Sequence, residues 1–307
     1  MIALGFDTSN YTTSCASFDG SRGENQSRLL DVKPGELGLR QSDALFSHVK
    51  RLPELSDRLF AHIDPTQIRV IGVSTRPRAV EGSYMPCFLA GESQARVLAS
   101  ALHVPLVSVS HQQGHIAAVI VDSGRQDLWE RPFLAWHLSG GTTEFLRVTP
   151  EGDAFHCEKL GGTTDISAGQ LIDRTGQLLG MPFPSGKELD LAAGDSTNCD
   201  FFRVKVQNCS FSFSGVQNQV QNYYAKTADI GRTAAFALRS VAEAIDTATK
   251  QARTQYPEDP VLFSGGVASN RLLRTRLSGM DAVFARPQFS TDNALGVAVL
   301  AYRAFIK

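Results

Sequence analysis

The chain has 307 residues, 42% hydrophobic and 20% charged, the profile of a globular enzyme with room for one large domain or two ordinary ones. Thirty basic residues against thirty-one acidic ones give a formal net charge of -1, so no broad positive field draws in nucleic acid and any RNA contact must come from a local patch or a partner. Five scattered cysteines with no C-x-x-C pair argue against a disulfide framework or a zinc ribbon and fit a reducing cytoplasm.

The start, MIALGFDTSNYTTS, has neither the basic opening nor the long apolar run of a secretion signal. No segment reaches the roughly 20 apolar residues of a membrane span, so neither export nor insertion is expected. IALGFDTSNYTTSCASFDG predicts a hairpin: an apolar strand, a small polar turn, a second strand rich in Thr and Ser, and an Asp-Gly turn. A helix follows over about Gln41 to His62, with Leu45, Phe46, Val49, Leu52, Leu59 and Phe60 on one face. VIGVS, AGESQARVLASAL and VPLVSVS then read as strand, helix and strand, the alternation of parallel units with crossover helices.

From about residue 132 the opening hairpin is repeated in FLAWHLSGGTTEFLRVTPEG. Both copies place two threonines just past the turn, Thr12 and Thr13, then Thr142 and Thr143, which points to two related α/β halves. The second half continues with a helix around Ala168 to Leu179, a loop rich in Pro and Gly, and a long helix from about Arg232 to Thr254. Strand VLFSGG, helix ASNRLLRTRL, strand AVFA and a final helix after STDN close the chain. No low-complexity linker separates the halves, so they are expected to pack face to face around a cleft. Residues 1–125 with the C-terminal helix (about 290–307) would form one domain and residues 126–289 the other.

Two glycine turns sit at strand ends. In LSGGTTEF the backbone of Gly140 and Gly141 can curl around an anion with no Cβ in the way, although the same residues also make a plain hairpin turn. In FSGGVASNRLLRTRL a strand, a Gly-Gly pair and a helix start come in order, which serves a nucleotide or a simple strand-to-helix connection. Two such loops in a duplicated architecture favour a phosphate-bearing ligand.

SHQQGHIAAV carries two histidines four residues apart. Ser110 with Gln113 predicts a capping box, which puts His111 at the first helical position and His115 one turn later on the same face. The helix N-terminus disfavours imidazolium and so biases both rings toward the neutral, ligating form. Two ligands hold a metal poorly, and a carboxylate or water must complete the site. Asp292 opens a helix, and its simplest interpretation on local grounds is an N-cap. Asp173 and Asp190 are single carboxylates near turns that would accept hydrogen bonds from a ribose or base, or stay solvated. FSFSG (Phe211 to Gly215) alternates as a half-buried edge would. The arginines 271, 274 and 276, with Arg76 and Arg78, read as solvated faces rather than binding patches.

In order and spacing these motifs resemble, along nearly the whole chain, the TsaD-like tRNA threonylcarbamoyladenosine synthesis proteins, also called glycoproteases or O-sialoglycoprotein endopeptidases. GFDTSNYTTS is similar to that family's first phosphate hairpin, SHQQGH to its metal-binding histidine pair, and LSGGTTEF to its second phosphate hairpin. GQLIDRTGQLLGMPFPSG resembles its nucleotide-sugar segment, FSFSG its internal signature, SGGVASNRLLRTRL its adenosine loop and RPQFSTDNALG its last metal-ligand segment.

The resemblance implies an α/β fold of the actin, sugar kinase and Hsp70 type, with two duplicated ribonuclease-H-like domains around a nucleotide cleft. It implies iron or zinc on His111, His115 and Asp292. It implies ATP or threonylcarbamoyl-AMP lined by Leu138, Ser139, Gly140, Gly141, Gly265 and Gly266, with Asp173, Gly186, Asp190 and Asn270 on ribose and base. The implied reaction moves a threonylcarbamoyl group to N6 of a tRNA adenosine beside the anticodon, in the cytoplasm, with TsaB-like and TsaE-like partner proteins.

The chain departs from that pattern in places. Tyr11 and Thr12 stand where bacterial members show the acidic pair of ETSCDET, Thr142 stands where they show a histidine, and Arg76 and Arg78 fall where they have a Gly-Pro-Gly turn. A general base is thereby unassigned. The alternative is a divergent paralogue that binds nucleotide and metal as a regulatory or assembly protein without transfer. Peptidase activity is not expected, because the histidine pair lacks the glutamate of H-E-x-x-H.

Overall fold

A computed structural model describes residues 1–9, 11–31, 39–194, 199–290 and 292–307. The chain divides into two compact units, one of Met1–Trp129, Pro150–His156 and Asp292–Lys307, the other of Glu130–Thr149 and Cys157–Thr291.

The first unit opens with β1 (Ile2–Asp7) and β2 (Thr12–Phe18), both buried, then β3 (Gly23–Leu29). The hairpin is as the sequence predicts. β3 is an addition: GENQSRL has no apolar alternation because it is an edge strand with a largely exposed surface, so periodicity could not announce it. Helix α1 (Gln41–Phe60) starts at the expected residue and buries Leu52 and Leu59 as predicted, with Leu45 and Phe60 packed against the core, but Ala44, His48 and Leu55 complete the stripe. Phe46 and Val49, placed inward by the sequence, are 65% and 52% exposed. A polar residue in the stripe hid the true face. His48 is fully buried, and its Nδ1 lies 2.8 Å from Thr13 Oγ1 on β2.

β4 (Ile68–Arg76), α2 (Phe88–Leu102), β5 (Leu106–Ser110) and α3 (His111–Ser123) follow as expected. The sheet order is β3-β2-β1-β4-β5, with β1, β4 and β5 mutually parallel.

The second unit begins the same way, with β6 (Phe133–Leu138), β7 (Thr143–Glu151) and β8 (Ala154–Thr163), the hairpin tip Pro150–His156 grouping with the first unit. Then come α4 (Ala168–Leu178), α5 (Gly186–Ala193), β9 (Ser210–Phe211), α6 (Ser214–Thr227) and α7 (Ile230–Arg253). Of FSFSG only Phe211 lies in a strand. Phe211 and Phe213 are buried, while Ser212 and Ser214 donate to the Asp165 carboxylate at the start of α6.

β10 (Val261–Ser264), α8 (Arg271–Leu277), β11 (Ala282–Phe284) and α9 (Pro287–Ser290) complete the unit. The sequence predicts one helix over ASNRLLRTRL. Instead a 3-10 turn, Gly266–Ser269, precedes α8, so the Gly-Gly pair does not lead directly into the α-helix. The second sheet runs β11-β10-β6-β7-β8-β9. Leaving aside the short edge β9, this repeats the first sheet strand for strand: three from a meander, then two parallel.

The C-terminal helix α10 (Leu295–Ile306) returns to the first unit, where it packs on α3 and across β1 and β4. The contact with α3 is backbone against backbone. A Cβ on Gly296 would overlap the Gly114 carbonyl, and one on Gly114 would press on the Val297 side chain at 3.1 Å. Glycine at 296 therefore sets how near the helix carrying both histidines comes to the segment carrying Asp292. Gly296→Ala is expected to destabilise the protein by about 2 kcal/mol or more through overpacking, read as a lower urea midpoint at unchanged slope.

Candidate functional site

Parallel β1, β4 and β5 end at one edge of the first sheet, which brings Asp7, the last residue of β1, near the start of α3. Ser110 caps α3 as the sequence predicts: its Oγ accepts from Gln113 N at 3.2 Å, and Gln113 Oε1 accepts from Ser110 N at 2.9 Å. Gln113 Nε2 also donates to the Phe155 carbonyl at 2.8 Å, which fixes the start of the helix.

The imidazoles of His111 and His115 meet edge to face with their Nε2 atoms 3.0 Å apart. Asp292 Oδ1 stands 3.2 Å from His115 Nε2 and 3.6 Å from His111 Nε2. Asp292 is not the N-cap that local sequence favours. Helix α10 has no side-chain cap, and Asn293 Oδ1 rather than Asp292 accepts from Leu295 N.

Donors bound to one tetrahedral ion at about 2.0–2.1 Å lie about 3.3 Å from one another, close to the three separations here. Two imidazoles and a carboxylate are donors that suit zinc or iron. The residues present therefore fit the metal that the family resemblance implies.

A fourth residue joins them. Asp7, 1% exposed, places Oδ2 at 2.8 Å from His111 Nδ1. Burial opposes charge on His111, but Asp7 and Asp292 outweigh it and raise the His111 pKa. Burial and the neighbouring charge of His111 lower that of His115. Burial would raise the carboxyls, yet His111 holds Asp7 below its usual value, and hydrogen bonds from both histidines hold Asp292 well below. The expectation of two neutral rings is thus corrected for His111, because carboxylates in contact outweigh a helix dipole of about half a charge. Asp7, buried, and Asp292, half-buried, thus concentrate negative charge at this point. Asp7 escaped notice in the sequence, although one signal was there: it is the single charge in an otherwise apolar strand.

In the second unit, β6 and β10 are parallel neighbours whose register ends on His137 and Ser264, so their loops leave the same sheet edge. The loops touch. Gly265 has φ 90° and stands against the Leu138 carbonyl, where a Cβ would overlap. The Leu138 side chain is buried in the core, so only its backbone faces this turn.

Ser139 N donates to the Thr142 carbonyl at 2.8 Å, and Ser167 Oγ donates to the Gly140 carbonyl at 2.6 Å, fastening the turn to the start of α4. Gly140 and Gly141 are not at positive φ, and a Cβ on either would meet nothing within 4 Å. Packing within the described residues therefore does not explain two glycines there.

Asp173 accepts from Ser185 N at 2.8 Å, next to Gly186 at the start of α5, and burial raises its pKa. Asp190 accepts from Asn270 Nδ2 at 2.9 Å and from Arg271 Nε at 3.2 Å, while Asn270 Oδ1 caps α8 through Leu273 N at 3.0 Å. The resemblance implies that Asp190 and Asn270 both hold ribose and base; the structure joins them to each other as a pair. Arg271 and Arg276 are exposed, as a solvated face would be, and the α8 arginines also make ties. Arg276 pairs with Glu243 and Asp246, and Arg274 donates to the Ala268 carbonyl and covers the Phe284 ring.

Residues 36–299 match the family model described as TsaD: tRNA N6-adenosine threonylcarbamoyltransferase. A tRNA N6-adenosine threonylcarbamoyltransferase of Salinibacter ruber (strain DSM 13855 / M31) is 30% identical over 322 residues, covering 97% of this chain and 92% of that protein. Among solved structures, full-length HypF in its phosphate- and nucleotide-bound form matches 99% of the chain with TM-score 0.63 and 15% identity; the chain spans 46% of HypF, about half its length. Component A of the (R)-2-hydroxyglutaryl-CoA dehydratase of Acidaminococcus fermentans matches end to end with TM-score 0.60 and 15% identity. Identities that low establish the fold alone, and that fold is the actin, sugar kinase and Hsp70 type. With the family model covering most of the chain and a full-length relative at 30% identity, the chain belongs to the TsaD family of tRNA N6-adenosine threonylcarbamoyltransferases.

Proposed function

We propose that this chain transfers threonylcarbamoyl from threonylcarbamoyl-AMP to N6 of a tRNA adenosine beside the anticodon, using one divalent iron or zinc ion and a bound nucleotide. The observation that carries the proposal is the convergence of His111 Nε2, His115 Nε2 and Asp292 Oδ1 to separations of 3.0, 3.2 and 3.6 Å in a TsaD-family chain. A metal held there would supply Lewis acidity for the oxygens of the acyl group.

The chain's own residues do the rest. His111, His115 and Asp292 hold the ion, and the backbone at Gly140 and Gly141 offers an open turn for the phosphate, where a side chain would take up the space. Gly265 lets the adjoining loop lie against the end of β6. Asp173, Gly186, Asp190 and Asn270 face the ribose and base; for the Asp190–Asn270 pair this means either acting together or exchanging partners on binding. In the transfer itself the adenosine N6 attacks the carbamoyl carbon, the bond to AMP breaks, and the amine loses a proton. TsaB-like and TsaE-like proteins serve as partners, and the setting is cytoplasmic. That full-length HypF, about half of which matches this chain, has been solved in a phosphate- and nucleotide-bound form supports the nucleotide part.

A second function is favoured by one observation. Residues 11 and 12 are Tyr and Thr, and Thr12 is buried in β2, so no carboxylate occupies the place of the family's acidic pair. A paralogue that binds nucleotide and metal without transfer would look the same at the trio.

Labelled threonylcarbamoyl should appear on tRNA when the chain is incubated with its partner proteins, and His111→Ala should abolish it. No product where an established family member modifies the same tRNA rejects transfer in favour of the paralogue. Protein prepared without a histidine tag should carry one equivalent of metal, and Asp292→Ala should lose most of it; full retention refutes the three-ligand site. Gly141→Val should shift stability by less than about 0.5 kcal/mol, as surface changes do, yet weaken ATP binding at least about tenfold by calorimetry, a loss of some 1.4 kcal/mol.

A further inference from the structure

We infer that Asp7 is a positioning residue for the metal centre: its carboxylate fixes the His111 ring so that Nε2, and not Nδ1, faces the point shared with His115 and Asp292. The inference rests on the metal assignment proposed above and concerns a residue outside the ligand trio.

An ionised carboxylate buried to 1% exposure at the end of an apolar strand is costly unless both oxygens are satisfied. Both are. Oδ1 accepts from Ser9 N at 3.0 Å, in the turn of the first hairpin, and Oδ2 lies 2.8 Å from His111 Nδ1. Because a carboxylate only accepts, the hydrogen in the second contact belongs to Nδ1. A neutral imidazole with its proton on Nδ1 carries its lone pair on Nε2, and Nε2 is the atom 3.0 Å from His115 Nε2 and 3.6 Å from Asp292 Oδ1.

Asp7 thus selects tautomer and ring orientation together, in the carboxylate–histidine–metal arrangement known to raise ligand basicity. Its own position is set by the sheet. The Asp7 carbonyl accepts from Ser14 Oγ at 3.2 Å across the hairpin, and β1 is locked in register with β2 and β4. The first hairpin therefore acts on the metal site through one buried side chain, while the capping box acts on the same ring from the helix side.

The test uses Co(II) as a coloured probe on the full-length, metal-stripped protein, with wild type, Asp7→Asn and Asp292→Ala titrated in parallel by visible absorption and calorimetry. The Asn variant keeps the volume of Asp7 but can offer an NH2 group to Nδ1 and so favour the opposite tautomer. It should remain folded by circular dichroism and bind Co(II) 10–100-fold more weakly than wild type, the usual loss for such a partner. Unchanged affinity in Asp7→Asn, with Asp292→Ala impaired, overturns the role of Asp7 and leaves the metal site standing. Wild type that takes up no Co(II), or Asp292→Ala that binds like wild type, overturns the metal assignment and the inference with it. Imidazole nitrogen NMR of the wild-type zinc form decides the matter even if the variant fails to fold. A protonated Nδ1 and a metal-bound Nε2 on His111 are expected, and metal on Nδ1 overturns the inference.

Discussion

The candidate site depends on how closely α3 can approach α10. Helix axes separated by ordinary side chains stand about 8–10 Å apart, but here Gly296 lies against the Gly114 carbonyl with no room for a Cβ. Helix α3 begins at the edge where β5 ends and α10 packs across β1 and β4, so the same close packing that buries the C-terminal helix also gathers His111, His115, Asp292 and Asp7. These residues come from three distant stretches of chain. One backbone contact and one sheet edge bring them together.

Electrostatics then completes what packing begins. Two carboxylates beside two neutral imidazoles carry two negative charges, Asp7 buried and Asp292 half-buried. Asp7 and Asp292 raise the His111 pKa against the penalty of burial, and a proton there offsets one of the two charges. A divalent ion would take over that role, with the separations already near those of a filled tetrahedral site. Burial of this charge makes sense as preparation for a ligand, since for stability alone a buried ionic cluster returns little.

Much of this could be read from the sequence where the signal was local. Ser110, Gln113, His111 and His115 lie within six consecutive residues, and capping plus helical spacing placed them correctly. The hairpin repeat was legible too, and the two sheets carry the same strand order. What failed did so for physical reasons. Asp292 is 177 residues from His115, and its local environment spoke only of helix capping. His48 in the buried stripe of α1 turned the apparent apolar face toward Phe46 and Val49, because a buried histidine bonded to Thr13 looks like a surface residue in any hydrophobicity pattern. Asp190 was legible as a carboxylate near a turn and Asn270 only through the family resemblance, and their pairing depends on how α5 and α8 pack. β3 is an edge strand with no apolar face to report.

The central claim is that the trio holds a divalent ion on which transfer depends. The most direct measurement is the rate of labelled threonylcarbamoyl transfer to tRNA by one protein preparation before chelation, after chelation, and after return of a single equivalent of iron or zinc. Loss of transfer on chelation and its recovery with one equivalent is the expected result. Transfer at the full rate by protein shown to be free of metal would contradict the claim.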